Sequence, residues 1–117
     1  MNDKTRKLLF DGLDSGRAIR HWRTGRTYEE YLSDRQFRRA VEREFEIIGE
    51  ALNRLSEEDA GVAAQITELP RIVAFRNRII HGYDSVDDAS VWGVIEKHLP
   101  PLVGQAENLL RVSGEVV

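Results

Sequence analysis

Arg76, His81 and Tyr83, with Asn77 beside the first, are the residues whose types and spacing could do chemistry. They sit in the run Phe-Arg-Asn-Arg-Ile-Ile-His-Gly-Tyr from Phe75 to Tyr83. A guanidinium offers a rigid fork of donors suited to an oxyanion, an imidazole exchanges protons near neutral pH, and a phenol both donates and accepts. Wound as a helix at about 100° per residue, the segment gathers Ile72, Val73, Phe75, Ile79 and Ile80 into one apolar arc with Arg76 near its middle. A charge on such a face is costly unless it is paired or the face lines a cleft. Arg76 and His81 stand about 140° apart, so Arg76 and Tyr83 share one edge of a broad surface and Asn77 and His81 the other. The helix alone leaves that surface without an opposite wall.

The elements that must hold this segment read as helices nearly throughout, because glycines and prolines are sparse and the apolar spacing is close to 3.6. A first helix is expected from about Asp3 to Arg23, with Leu9, Leu13, Ile19 and Trp22 inward. Gly12 and Gly16 either weaken it by about 1 kcal/mol each or let a neighbouring helix approach closely. Thr27 with Glu30 forms a capping-box pattern for a short turn, and Ser33 with Gln36 forms another for a long helix from about Asp34 to Leu55. Phe37, Ala40, Val41, Phe45, Ile47, Ile48, Ala51, Leu52 and Leu55 fill one face of that helix. Glu44 falls inside this face, which makes it the expected partner of Arg76, while Glu50 is placed outside or at the edge.

Ser56 to Asp59 is expected to cap a short helix reaching about Ile66. Pro70 suits the first turn of the next helix, which ends near His81 because Gly82 can adopt a left-handed C-cap. Asp87 or Asp88 caps a helix through Val91, Trp92, Ile95 and Leu99, and Pro100 with Pro101 kinks or breaks it before a last piece from Leu102 to Val112. The expectation is an all-α bundle of about five to six helices, two of them long and antiparallel. It forms one domain over residues 1–112, followed by a frayed tail at 113–117.

Composition narrows the function. The absence of cysteine excludes disulfides, thiolate metal sites and a cysteine nucleophile. His21, His81 and His98 have no metal-ligand spacing and no accompanying carboxylate cluster, and neither a glycine-rich phosphate loop nor a nucleophile-elbow serine occurs. No metal and no cofactor is therefore expected. No apolar run approaches the length of a membrane span and residues 1–10 lack a signal-peptide core, so a cytoplasmic protein is expected. The net charge is −3, but residues 16–43 hold eight arginines (17, 20, 23, 26, 35, 38, 39, 43) and His21 against four acids (29, 30, 34, 42). That asymmetry allows a local basic surface on a mildly acidic chain.

Each of these features also has a plainer reading. A histidine in the last turn of a helix interacts with the C-terminal carbonyls. A buried arginine usually makes an ion pair, a tyrosine anchors with its ring inside and its hydroxyl outside, and an arginine-rich helix is a solvated face laced with pairs such as Arg39 with Glu42.

The segment nevertheless resembles the Arg-x4-His-x-Tyr motif of the HepT family in the HEPN superfamily of small α-helical ribonucleases, reading Arg76, His81 and Tyr83. The run from Ala40 to Glu50, Val86-Asp87, Val91-Trp92 and Leu99-Pro100 are similar too, and the likeness extends over most of residues 5–110. Glu44 departs from it, since asparagine is the family's pattern there. The resemblance implies a HEPN-type bundle, a homodimer whose motif helices face each other across a cleft, and metal-independent RNA cleavage with Arg76 and His81 catalytic and Asn77 and Glu44 supporting. It implies a type VII-like HEPN/MNT toxin–antitoxin pair, in which a minimal nucleotidyltransferase of the MntA type silences the toxin by attaching AMP to the motif tyrosine, here Tyr83. Arg17, Arg20, Arg35, Arg38, Arg39 and Arg78 would guide the RNA backbone. Two alternatives remain: a non-catalytic helical module that binds substrate for a nucleotidyltransferase, and a dimeric scaffold in which Arg76 only makes an ion pair.

Overall fold

In a computed structural model, which describes residues 1–82 and 86–114, every regular element is helical. Among the described residues seven helices follow one another: α1 (Asp3–Arg23), α2 (Tyr28–Ser33), α3 (Arg35–Glu58), α4 (Ala60–Ala63), α5 (Leu69–His81), α6 (Asp88–Lys97) and α7 (Leu99–Val112). The count exceeds the expected five to six because the short pieces resolve separately.

The two long helices, α1 and α3, pack antiparallel. Lys4 and Asn2 at the start of α1 reach Glu58 at the end of α3, at 3.3 and 3.2 Å. Leu9, Leu13 and Ile19 from α1 meet Val41, Phe45, Ile48, Leu52 and Leu55 from α3 in one core. Helix α5 closes another side of α3 through Ile72, Phe75 and Ile79, with the Phe75 ring edge-on to Phe45 at 5.2 Å between centroids. This edge-to-face geometry is the one that aromatic quadrupoles favour. A second cluster joins α2, α3 and α6, where Tyr31 packs against Phe37 and Trp92, and Arg23 and Arg26 lie over the Trp92 and Phe37 rings. Burial pushes the pKa of the Tyr31 hydroxyl far above its ordinary value, and that oxygen has no hydrogen-bond partner among the described residues.

Caps explain most boundaries. The Thr27–Glu30 capping box is complete at α2, and Asp87 caps α6 through the Ser90 amide. The cap of α3 is not Ser33: Asp34 accepts from the Phe37 amide, and Ser33 instead donates to the Glu30 carbonyl as the last residue of α2. Helix α3 runs through Ser56 to Glu58 rather than stopping at Leu55, so the following helix shrinks to Ala60–Ala63, capped by Asp59. Gly82 closes α5 with its amide on the Arg78 carbonyl, but at φ −136° it is not left-handed. The break expected at the prolines occurs, but ahead of Leu99 and not after it. The chain turns at His98, and Pro100 and Pro101 lie in the first turn of α7, where missing amides are tolerated. Ser113 caps α7 and Gly114, at φ 94°, turns the chain away; residues 115–117 lie outside the described ones.

The two glycines of α1 have different reasons. A methyl group on Gly16 would come within 2.9 Å of the Val103 side chain, so α7 packs directly against that backbone, whereas on Gly12 it would rest 3.7 Å from Leu52 in ordinary contact. Gly12→Ala is expected to stabilise the protein by up to about 1 kcal/mol through helix propensity. Gly16→Ala should lower the melting temperature, because overpacking outweighs that gain. Thermal denaturation of the two variants side by side checks both signs.

Candidate functional site

The close approach of α3 and α5 places Arg76. At Gly49 the two helices touch so tightly that a Cβ would lie 2.2 Å from the Arg76 Cβ and 2.5 Å from its Cγ. Only a glycine leaves that space, which accounts for its presence inside a long helix where it costs about 0.5–1 kcal/mol relative to alanine. The Arg76 side chain passes over Gly49 and meets the next residue of α3: its Nη2 donates to Glu50 Oε2 at 2.8 Å, and its Nη1 donates to Asn77 Oδ1 at 2.9 Å. Arg76 Nε is buried with no acceptor among the described residues. The other oxygen of Glu50 accepts from Arg54 Nε at 2.7 Å, so one carboxylate holds two guanidiniums side by side.

The expected Glu44–Arg76 pair is therefore incorrect. Glu44 is half-buried on α3 and makes no ion pair or hydrogen bond among the described residues. Glu44 and Glu50 are six residues apart, about 240° around the helix, and α5 crosses α3 on the Gly49–Glu50 side. Glu50 and Gly49 are the residues that sequence reasoning passed over. Their signal was the adjacent Gly-Glu pair in a helix otherwise free of glycine, since a mid-helix glycine marks a close backbone approach.

Beside this contact lies an open cleft of about 260 Å³, with Leu8, Ile47, Ala51 and Ile80 as its apolar lining and Arg43, Glu46, Glu50, Arg54 and Arg76 among its charged groups. Ile80, expected inside the apolar arc, is 40% exposed here. Asn77 and His81 are exposed on the adjoining side of α5, one turn apart. The Arg76–Asn77 bond thus joins the two edges of the surface, and His81 ends the helix in the open. Tyr83 lies outside the described residues. Among the described residues no cluster of three metal-ligating side chains occurs, and no helix is long and apolar enough to cross a membrane.

The arginines expected to form a basic surface are mostly engaged within the fold. Arg17 pairs with Glu107 at 2.6 Å, Arg39 with Glu42 at 3.2 Å, and Arg38 donates to the Tyr31 and Leu32 carbonyls. The side chains of Arg20 and Arg35 have no ion pair among the described residues. Arg78 is exposed and its charge helps hold the Asp87 carboxyl below its ordinary range, behind the larger effect of the Ser90 amide and hydroxyl.

The model of one family, ribonuclease HepT-like, matches residues 13–109. The chain belongs to the ribonuclease HepT-like family. Similar proteins include "Probable ribonuclease HepT" of Thermococcus cleftensis, 32% identical over 72% of this chain and 76% of its own length. "Putative RNase TTE0752" of Caldanaerobacter subterraneus is 31% identical over 74% of this chain and 77% of its own length. "Putative RNase MJ0127" of Methanocaldococcus jannaschii is 26% identical over 94% of this chain and 91% of its own length. No solved structure is significantly similar to the chain. The HepT-like family and the all-helical architecture were both expected from the motif and its helical setting.

Gly49→Ala is expected to destabilise this HepT-like chain by on the order of 1–3 kcal/mol, because α5 must move or Arg76 must leave its place. Glu50→Ala should cost only about 1 kcal/mol or less, since the carboxylate is 39% exposed and solvent screens the pair. Chemical denaturation separates the two: the glycine variant loses far more stability than the carboxylate variant.

Proposed function

We propose that this chain is a metal-independent ribonuclease toxin whose catalytic residues are Arg76 and His81, acting as a homodimer. The observation that carries the reading is the held guanidinium: Arg76 is oriented by Glu50 and Asn77 beside an open cleft, with an exposed imidazole one helical turn beyond Asn77. RNA supplies its own nucleophile. The 2′-oxygen attacks the adjacent phosphorus as His81, or its copy in the partner, takes the hydroxyl proton. The bond to the 5′-oxygen breaks, and a protonated imidazole returns a proton to that leaving oxygen, giving a 2′,3′-cyclic phosphate. Arg76 stabilises the charge that builds on the non-bridging oxygens through donors not taken by Glu50 and Asn77. A protein that only moves protons and neutralises charge needs no metal for this reaction.

Homodimerisation is supported by the mouth of the cleft. Ile47 and the 40% exposed Ile80 present apolar surface next to Arg76, which a second copy of α5 would cover while adding its own His81 to the opposite wall. Arg20 and Arg35 are the members of the basic run best placed to meet an RNA backbone, because both are exposed and neither makes an ion pair among the described residues. One observation favours the scaffold reading instead: Arg76 already has a carboxylate partner. Purified protein is expected to cleave single-stranded RNA in EDTA and His81→Ala to lose that activity; equal cleavage by both, or none by either, defeats the ribonuclease reading.

The regulatory partner in this reading is a minimal nucleotidyltransferase of the MntA type. The Tyr83 oxygen would attack the α-phosphorus of ATP with release of pyrophosphate, leaving AMP on a residue two positions beyond His81. Its phosphate and bulk would compete with RNA for Arg76. Incubation with the partner and ATP should add the mass of AMP to the intact chain and abolish cleavage. Tyr83→Phe should stay unmodified and active, and AMP found elsewhere on the chain would overturn this assignment.

A further inference from the structure

On the other side of α5 from the Arg76 cleft lies a larger groove, about 590 Å³, between the first turns of α5 and the α6–α7 junction. Arg71 and Arg78 stand on its α5 wall, and His98, from the junction, faces them. The groove has a built frame. Gln105 of α7 clamps the chain just before α5, accepting from the Thr67 amide at 3.0 Å and donating to the Thr67 hydroxyl at 2.9 Å. Glu68 Oε2, itself buried, lies 3.0 Å from His98 Nδ1 and 3.4 Å from Arg71 Nε. Neither contact has hydrogen-bond alignment, so the carboxylate sits between the Arg71 guanidinium and the His98 ring, and both residues line the groove. Phe75 gives the groove an apolar floor. Two guanidiniums, Arg71 and Arg78, and the His98 ring line the space against the single Glu68 carboxylate, a lining suited to a bound anion.

The helix supplies the direction. Arg71, Arg78 and His81 climb the exposed side of α5 within about 80° of arc and about 15 Å of axis. Ala74, exposed and inside that arc, leaves the way between them open. That length spans several phosphates at the roughly 3.4 Å axial spacing of a stacked strand. We propose that this groove is a second RNA subsite, in which Arg71 and His98, gathered by Glu68, hold backbone phosphates of the strand whose scissile bond lies at His81. The inference rests on the ribonuclease reading for its choice of RNA, and it assigns Arg71 and His98 a role in positioning the strand, away from the reacting atoms.

Binding of a fluorescent single-stranded RNA to the full chain carrying His81→Ala, measured across a salt series, tests it without requiring cleavage. Arg71→Gln should weaken binding severalfold for unrelated sequences alike and reduce the slope of log affinity against log salt by about 0.7, the loss of one phosphate contact on a single strand. Ala74→Glu, which places a negative charge in the groove without removing any contact, should weaken binding too, while Arg111→Gln on α7 should not. Unchanged affinity and slope in both groove variants overturns the subsite. So does loss of a nucleotidyltransferase complex in those variants with RNA affinity intact, which would make the groove a protein dock. If the unmutated chain cleaves no RNA yet Arg71-dependent binding persists, the subsite stands and the ribonuclease reading alone fails.

Discussion

The contact between Gly49–Glu50 on α3 and Arg76 on α5 is the constraint on which the site depends. An arginine held against a helix backbone, with its head on a carboxylate one residue further on, has few other rotamers available. The same contact brings α5 close enough to α3 for Phe75 to pack on Phe45 and for Ile72 and Ile79 to enter the core. Packing and site geometry are therefore one feature. The helix that carries the motif is held by the residue that carries its charge. Because Glu50 also holds Arg54, two guanidiniums gather at the cleft around one partly exposed carboxylate.

Helix α5 consequently has two sides turned away from the core and one structural side. Its core side is apolar and ends at Ile79. One exposed side carries Arg76 and Ile80 towards the cleft; the other carries Arg71 and Arg78 along the groove. Asn77 and His81 lie between them. A short helix of 13 residues can do this because the frame around it is fixed by α3 behind and by the Thr67–Gln105 clamp at its start. Meanwhile the arginine-rich stretch from residue 16 to 43 is largely absorbed by the fold, in ion pairs, carbonyl caps and contacts with aromatic faces. A count of charges along a chain does not reveal this, since a guanidinium that caps a helix and one that faces solvent contribute equally to it.

What was legible in the sequence was local. The 3.6 periodicity of α1, α3 and α5, the Thr27 cap, a cap for α6 at Asp87 or Asp88, the proline at the start of α5 and the order Arg76, His81, Tyr83 were all readable, because each depends on residues within a turn or two of one another. The errors were local ambiguities as well. Ser33 and Asp34 both offer a capping oxygen, and the geometry that selects Asp34 depends on where α2 ends. Pro100 and Pro101 are compatible with the end of one helix or the start of another, and the turn at His98 decides for the second.

The identity of the partner of Arg76 was of another kind. Glu44 and Glu50 lie on one helix, both can reach an edge of its apolar face, and their types are the same. By itself the sequence determined that this chain would be helical, that it would carry a guanidinium on an apolar arc of one helix, and that an imidazole would end that helix. Only the tertiary structure decided which carboxylate meets the guanidinium, that Ile80 lies open beside it, and that His98 and Arg71, 27 residues apart in the chain, share a groove. The physical reason is that helix propensity and capping are set within a few residues, whereas the angle and height at which α5 crosses α3 are set by which backbones can touch. At that crossing the absence of a side chain at Gly49 mattered as much as any side chain present.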